Sequence, residues 1–386
     1  RRRIRVVRQK LPVAQRARGG SLSSMLANRD PLVMHTGAAR KSIAYYLRDC
    51  GNLHYFAAIK PYLDHFIRRG ENHIVVLESS GDHEQIPEYV GYRHLFTSNH
   101  ELDDYDLVLT PTHICDHEIE SRAHVVQIFH GISDKPFTYE REFNDYRLCL
   151  CAGQRQVDRL RRNERNRDMR FATVGYPKFD RIPSAPVLFD NGRKTVIYCP
   201  TWRKGGLSSI EIFLNHPDVI AGLCEDYNLI VKPHPNIFNP AREFFDANIV
   251  ERLESTRGIA LIRSGNVMPW FAQADVFIGD VSASGYEWLC FGRPMVFLNP
   301  QPGVLAASAD PDSATYLWQC GEVCDDVREL KRLVDKAMQE DELRDAREQL
   351  LHYSVYRPRD GCATARGVAE IEALLFSGAV AAECLQ

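Results

Sequence analysis

No stretch of about 18 consecutive apolar residues occurs in this 386-residue chain, so no segment reads as a membrane-spanning helix. The basic N-terminus is not followed by an apolar run of about 7–15 residues, which argues against a secretory signal peptide. Three chemical signatures are missing as well. Without G-x-x-x-x-G-K-[ST] and G-x-G-x-x-G, neither a mononucleotide P-loop nor the usual dinucleotide site is supported. Without G-x-S-x-G, there is no hydrolase nucleophile elbow. Cys149/Cys151 and Cys320/Cys324 lack the C-x-x-C spacing of a redox or zinc pair. The eleven cysteines are odd in number, and Cys149, Cys199 and Cys290 sit inside apolar runs. Reduced thiols in a cytoplasmic protein are expected rather than a disulfide scaffold. His113, Cys115 and His117 cluster, but no second group completes four ligands, so no metal is expected.

Charge of one sign is also nearly absent as a sum: 48 Lys+Arg against 51 Asp+Glu, net −3. The sum hides an asymmetry. Residues 1–30 carry nine basic and one acidic residue, net +8, leaving 39 basic and 50 acidic residues, net −11, for 31–386. A basic arm thus precedes an acidic body. The arm reads either as a solvated tail or as a segment drawn to an anionic membrane surface, at ~1 kcal/mol per Lys/Arg near it. The acidic body has no aromatic-interleaved basic face, so nucleic acid is not expected as a partner.

What is present is ordinary for a folded enzyme-sized chain. Apolar residues make up 44% and charged residues 26%, which excludes a mainly disordered protein. At about 100–200 residues per domain, the length predicts two domains. Apolar runs at 74–77, 107–110, 125–129 and 148–151 read as strands, with a helix over 53–69. After a weakly patterned linker at 183–192 the alternation restarts, with strands at 195–199, 229–232, 260–262, 276–279 and 295–298. Helices are expected at 326–338 and 340–351. Strands alternating with helices predict an α/β protein with parallel sheets. The expected division is arm 1–30, first Rossmann-like domain 31–182, second 193–375, and tail 376–386.

Open α/β sheets bind ligands beyond the C-terminal ends of their strands. After 125–129 come His130, Gly131 and Lys135. His130 suits general-base work, or simply caps a strand end; Gly131 is expected to permit a tight turn. After 195–199 come Thr201 and Arg203, whose guanidinium can fork two hydrogen bonds onto a phosphate; a plain solvated loop is the alternative. After 229–231 come Lys232 and His234, with His234 held between two prolines, a preorganised loop. After 276–279 come Asp280, Ser282, Ala283, Ser284 and Glu287, read as a helix start that offers free N–H groups to phosphate, or as a plain serine N-cap.

Taken in order, these segments resemble the CDP-glycerol glycerophosphotransferase family, the teichoic acid primases and polymerases. The resemblance runs over about residues 120–375. It is carried by His130-Gly131 with Lys135, 174–180 (VGYPKFD), 199–203 (CPTWR), 232–235 (KPHP), 279–282 (GDVS) and 359–361 (RDG). Val281 and 282–284 (SAS) depart from the family's aromatic residue and paired serines. The resemblance implies a GT-B fold, two Rossmann-like domains facing a central cleft. It also implies transfer of a polyol phosphate from CDP-glycerol or CDP-ribitol to a hydroxyl of a lipid-linked or polymer acceptor, releasing CMP, in teichoic acid or capsule-like polymer synthesis. No cofactor and no essential metal are implied.

On this reading His130 is the base, and His234, Arg203 and Lys232 face the diphosphate together with the segment 282–284. Glu287 would bind a ribose hydroxyl, while Lys135, Thr201 and Asp280 contact or orient substrate. The basic arm would place the enzyme peripherally on the inner face of the cell membrane. Homo-oligomerisation stays open. Two alternatives remain: a GT-B nucleotide-sugar glycosyltransferase or UDP-sugar 2-epimerase, and a non-catalytic GT-B-like binding protein.

Overall fold

Short runs of β-branched, aromatic and other apolar residues form two sheets whose paired strands are all parallel. The computed structural model describes residues 41–47, 53–78, 92, 94–97, 102, 105–113, 124–135, 139–143, 146–202 and 204–383. The basic arm 1–30, Cys115, His117 and Arg203 lie outside the described residues.

The first sheet contains β1 (Ser42–Leu47), β2 (Asn72–Glu78), β3 (His94–Thr97), β4 (Leu107–Thr110), β5 (His124–Gln127), β6 (Leu148–Cys151) and β7 (Phe171–Thr173). Its order is β3-β2-β1-β4-β5-β6-β7. The second contains β8 (Thr195–Cys199), β9 (Asn228–Val231), β10 (Ile259–Leu261), β11 (Val276–Gly279), β12 (Met295–Leu298) and β13 (Glu322–Cys324), in the order β10-β9-β8-β11-β12-β13. Both are doubly wound. The order reverses between β1 and β4 and between β8 and β11, the places where such sheets open a ligand crevice.

Burial on both faces explains why several strands read as unbroken apolar runs. In β4, Leu107 and Leu109 join one core cluster and Val108 the opposite one. In β8, Val196 and Tyr198 face one cluster while Ile197 and Cys199 face another. This is the period-two alternation of a strand with two covered faces.

The last helix, Ala363–Glu383, contributes Val368, Ile371 and Leu375 to the core of the first sheet, beside Tyr62 and Phe66 of helix Leu53–Arg68. A side chain at Gly367 would clash with the Tyr62 hydroxyl, so glycine permits this close approach. The expected break at 375/376 therefore falls inside a helix, one that packs on the first sheet. Ile132, Ala152 and Tyr176 share one buried cluster with Tyr286, Leu317 and Leu351, so the halves meet through an apolar contact. Residues 183–192 hold no helix or strand. No described helix is long and apolar enough to cross a membrane.

Candidate functional site

Loops from the C-terminal ends of both sheets converge between them. Beyond β5 the chain leaves the sheet early. Phe129 takes φ 51°, a left-handed conformation unusual for a bulky residue, so the strand ends at Gln127. The next residue is His130. The turn was expected at Gly131, but the left-handed residue is Phe129. Gly131 instead marks a close approach of the halves, since a side chain there would lie 3.6 Å from the Ala283 methyl.

His130 Nδ1 lies 2.7 Å from the Pro111 carbonyl. A carbonyl only accepts, so Nδ1 carries the proton and the neutral ring presents Nε2 as an acceptor. Beyond β9, His234 has the opposite arrangement. Its Nδ1 accepts the Asn236 backbone N–H at 3.1 Å, so its neutral form carries the proton on Nε2. The Trp202 ring stacks on it at 6.0 Å between centroids. Burial holds both histidines below the ordinary imidazole value. His130 is down to about 4, with Lys178 and Arg141 adding to the effect and the Pro111 hydrogen bond opposing it. His234 is down to about 3, with Lys135 and Lys232 adding. Both are therefore neutral at pH 7: one ring is an acceptor, the other a donor.

A third histidine meets them. His54, in the first turn of helix Leu53–Arg68, stands edge-on to His130 and to His234 at 5.5 Å between ring centroids in each case. Burial, then His130, His234, Lys178 and Lys232, hold its pKa well below the usual value.

Cations line the same space. Lys232 is 6% exposed, and among the described residues no hydrogen bond reaches its ammonium. Burial lowers its pKa to about 8, with Lys178 adding, while Cys199 and Glu287 oppose. Lys135, from the His130 loop, reaches across to the Thr201 hydroxyl at 2.7 Å.

Two polar networks hold these groups in place. Asp280 accepts the Thr201 N–H at 2.9 Å and both the N–H and hydroxyl of Ser209, at 2.9 and 3.0 Å. Burial raises its pKa to about 6 against these hydrogen bonds. It was expected to contact or orient substrate; in the structure its oxygens fix the loop after β8. Glu287 was expected to meet a ribose. In the structure its Oε1 accepts the Tyr176 hydroxyl at 2.7 Å and the Lys178 ammonium at 2.9 Å. Both donors also bond the His130 carbonyl, at 2.9 and 3.1 Å. Glu287 thus ties the second half to the backbone of His130.

Asp134, four residues on, is buried and accepts Arg155, Arg159 and the Tyr286 hydroxyl, anchoring the other end of the same loop. Ser282 and Ser284 bond each other at 2.8 Å, and Ser282 Oγ also accepts the Ser284 N–H at 3.4 Å, while the N-cap position of the helix Ser284–Trp288 is Ala283. That helix has only five residues, so the serines remain as hydroxyl donors rather than as the head of a long dipole. His113 bonds the Glu142 carbonyl, and no group of metal-ligating side chains forms around it among the described residues.

The structure thus brings His130, Lys135, Thr201, Lys232 and His234 together, with 280–284 beside Thr201 and Gly131. His54, Tyr176 and Lys178 were missed as site residues. The last two stood in the 174–180 motif with no role attached. For His54 the available signal was position: it follows β1, a strand the apolar pattern did not single out.

Comparison with known proteins places these features in a family. The family described as CDP-Glycerol:Poly(glycerophosphate) glycerophosphotransferase matches residues 120–373. The teichoic acid glycerol-phosphate primase of Bacillus subtilis (strain 168) is 20% identical over 165 residues, 41% of this chain and 41% of the primase. The chain's match thus spans less than half of that relative's length. Among solved structures, the wall teichoic acid polymerase TagF superposes with a TM-score of 0.60 at 15% identity, covering 88% of this chain and 90% of that one. The same polymerase has been solved as a histidine-to-asparagine variant with CDPG, TM-score 0.57 at 14% identity, over 88% of this chain and 90% of that one. MnaA of S. aureus, solved with UDP, has a TM-score of 0.57 at 12% identity, over 87% of this chain and 97% of that one. These structural likenesses establish the fold as GT-B-like α/β. The family match covers about two thirds of the sequence and includes every loop that carries His130, Lys135, Thr201, Lys232, His234 and Asp280; the chain belongs to the CDP-glycerol:poly(glycerophosphate) glycerophosphotransferase family.

Proposed function

We propose that this chain transfers a polyol phosphate, glycerol phosphate first, from a CDP-polyol to a hydroxyl of a lipid-linked or polymer acceptor. The product would be a teichoic-acid-type or capsule-like polymer. The observation that carries the reading is the pair of neutral histidines with opposite tautomers, one from each half. The acceptor oxygen attacks the β-phosphorus and forms a new O–P bond. The bond from that phosphorus to the oxygen bridging it to the α-phosphate breaks, and CMP leaves with the bridging oxygen. The acceptor's proton passes to His130 Nε2, the free acceptor of the pair. His234 Nε2–H donates to the diphosphate as charge develops on the leaving oxygen. A phosphate leaving group with a second pKa near 6 needs no full proton, so a hydrogen bond and nearby cations suffice.

Lys232 and Lys135 supply charge on the protein side, with Arg203 and the hydroxyls of Ser282 and Ser284 as further donor-phosphate ligands beside Ala283. The reading therefore expects turnover without added divalent metal. In it the first half receives the acceptor and the second holds the donor. The net +8 of residues 1–30 supports a peripheral place on the cytoplasmic face of an anionic membrane.

A donor panel tests the reading. CDP-glycerol, CDP-ribitol and UDP-sugars are offered with a lipid-linked acceptor bearing a free hydroxyl, and CMP and UDP release are followed. CMP release from a CDP-polyol is expected. UDP release alone, or no turnover of any donor, would overturn it in favour of a nucleotide-sugar enzyme or a binding protein.

A further inference from the structure

We propose that His54 is a third substrate-contacting histidine, donating an Nε2–H hydrogen bond to a non-bridging oxygen of the phosphoryl group in transfer. The proposal rests on the transferase reading above and deepens it. His54 lies outside the segment 120–373 that the family match covers.

Its position is the first ground. The ring stands at the same 5.5 Å from the acceptor-type ring of His130 and the donor-type ring of His234. A phosphorus passing from leaving group to acceptor travels between those two groups, and His54 borders both ends of that path.

Its hydrogen bonding is the second ground. His130 and His234 each have Nδ1 satisfied by backbone. His54 Nδ1 is buried with no partner among the described residues. Buried polar groups are nearly always paired, and an orphan at a site of chemistry calls for a cause. For backbone groups an unpaired buried N–H is rarer than an under-satisfied acceptor. By the same logic the neutral ring leaves the lone pair on Nδ1 and puts the proton on Nε2. Nε2 is not among the buried unpartnered atoms. An imidazole N–H aimed at a phosphoryl oxygen strengthens as charge builds there, so its effect falls on kcat.

A packing role and a donor role predict opposite rankings of two variants. His54→Phe keeps a ring against His130 and His234 but has no N–H. His54→Asn loses the ring but keeps a donor amide. CMP release from CDP-glycerol with a lipid-linked acceptor is measured for both in the full chain, with CDP-glycerol affinity by calorimetry. The proposal expects His54→Phe to lose ~10²-fold in kcat with donor affinity within about threefold, and His54→Asn to retain more activity. His54→Phe near the parent rate, or better than His54→Asn, overturns it.

A second measurement leaves His54 intact and so stands even if either variant folds poorly. In His130→Ala labelled with ¹⁵N-histidine, CDP-glycerol is expected to shift the His54 Nε2 resonance. An unmoved His54 beside a shifted His234 overturns the proposal. If the parent chain turns over no CDP-polyol at all, the transferase reading itself falls. Turnover by the parent with an unaffected His54→Phe removes this inference alone.

Discussion

Lys232 holds a cation where water is scarce, and that should cost stability. Burial lowers its folded pKa to about 8 from the ordinary lysine value of 10.5, and the residue is 6% exposed. The unfolded chain keeps this proton to about pH 10.5, whereas the folded chain releases it near 8. Between those values the unfolded state binds more protons, so stability rises with pH. Moving the proton's release from about 10.5 to about 8 corresponds to a burden of about 3 kcal/mol on the folded state below pH 8. About 2 kcal/mol of it should be recovered by pH 9.5. Lys232→Met removes the charge while keeping much of the apolar stem.

The variant should therefore be more stable than the parent at pH 7, by about 1–3 kcal/mol after allowance for imperfect packing. The advantage should shrink towards pH 9.5. Denaturant midpoints followed by the fluorescence of the buried Trp288 and Trp318 report this at both pH values. Calorimetry with CDP-glycerol should show the variant's affinity reduced ~10–100-fold, the loss of one charged hydrogen bond. A variant destabilised at pH 7, or one that binds donor as the parent does, would refute the view that Lys232 is a buried cation held for an anionic ligand.

His130→Ala should lower turnover ~10²–10⁴-fold while CDP-glycerol still binds; near-parental CMP release would remove His130 as the base. The parent's kcat/KM should hold level from pH 7 down through 6.5 and fall only as His130 gains its proton towards about 4, because protonation fills Nε2; a loss centred on 6.5 would contradict its burial. Glu287→Gln leaves the Lys178 ammonium, 6% exposed, without its carboxylate, and should destabilise by about 3–5 kcal/mol in a denaturant titration. Unchanged stability with a selective loss of cytidine-nucleotide affinity would return Glu287 to the ribose. Deleting residues 1–30 should abolish sedimentation with anionic liposomes and spare binding of CDP-glycerol; undiminished sedimentation would make the arm a solvated tail.

Most interior strands were legible because their surroundings are uniform, although the central strand β1 (Ser42–Leu47) was not singled out. Leu107–Thr110, Leu148–Cys151, Thr195–Cys199, Val276–Gly279 and Met295–Leu298 are buried on both faces and have the bounds their apolar runs predict. The strands not singled out also include β3, β7 and β13, edge members of three or four residues each. The helix expected at 326–338 starts as a 3-10 turn, Val327–Glu329, and continues as Leu330–Gln339. That at 340–351 is displaced to Arg344–Ser354, because helical periodicity marks a face better than an end.

The site divides in the same way. His130, Lys232 and His234 were visible in the sequence because each directly follows a legible strand, and chain order alone puts such residues at the ligand edge of an α/β sheet. Direction and pairing were not visible. That Asp280 faces the Thr201 and Ser209 amides, that Glu287 meets Tyr176 and Lys178, and that His54 stands between His130 and His234 are contacts between residues 71 to 180 positions apart. Sequence by itself determined the alternation, the two parallel sheets and the residue types at their edges, because burial and backbone sterics act locally. Only the tertiary structure decided which nitrogen of each histidine carries the proton and which carboxylate is already occupied, because hydrogen bonds are settled by the partner that arrives from elsewhere in the chain.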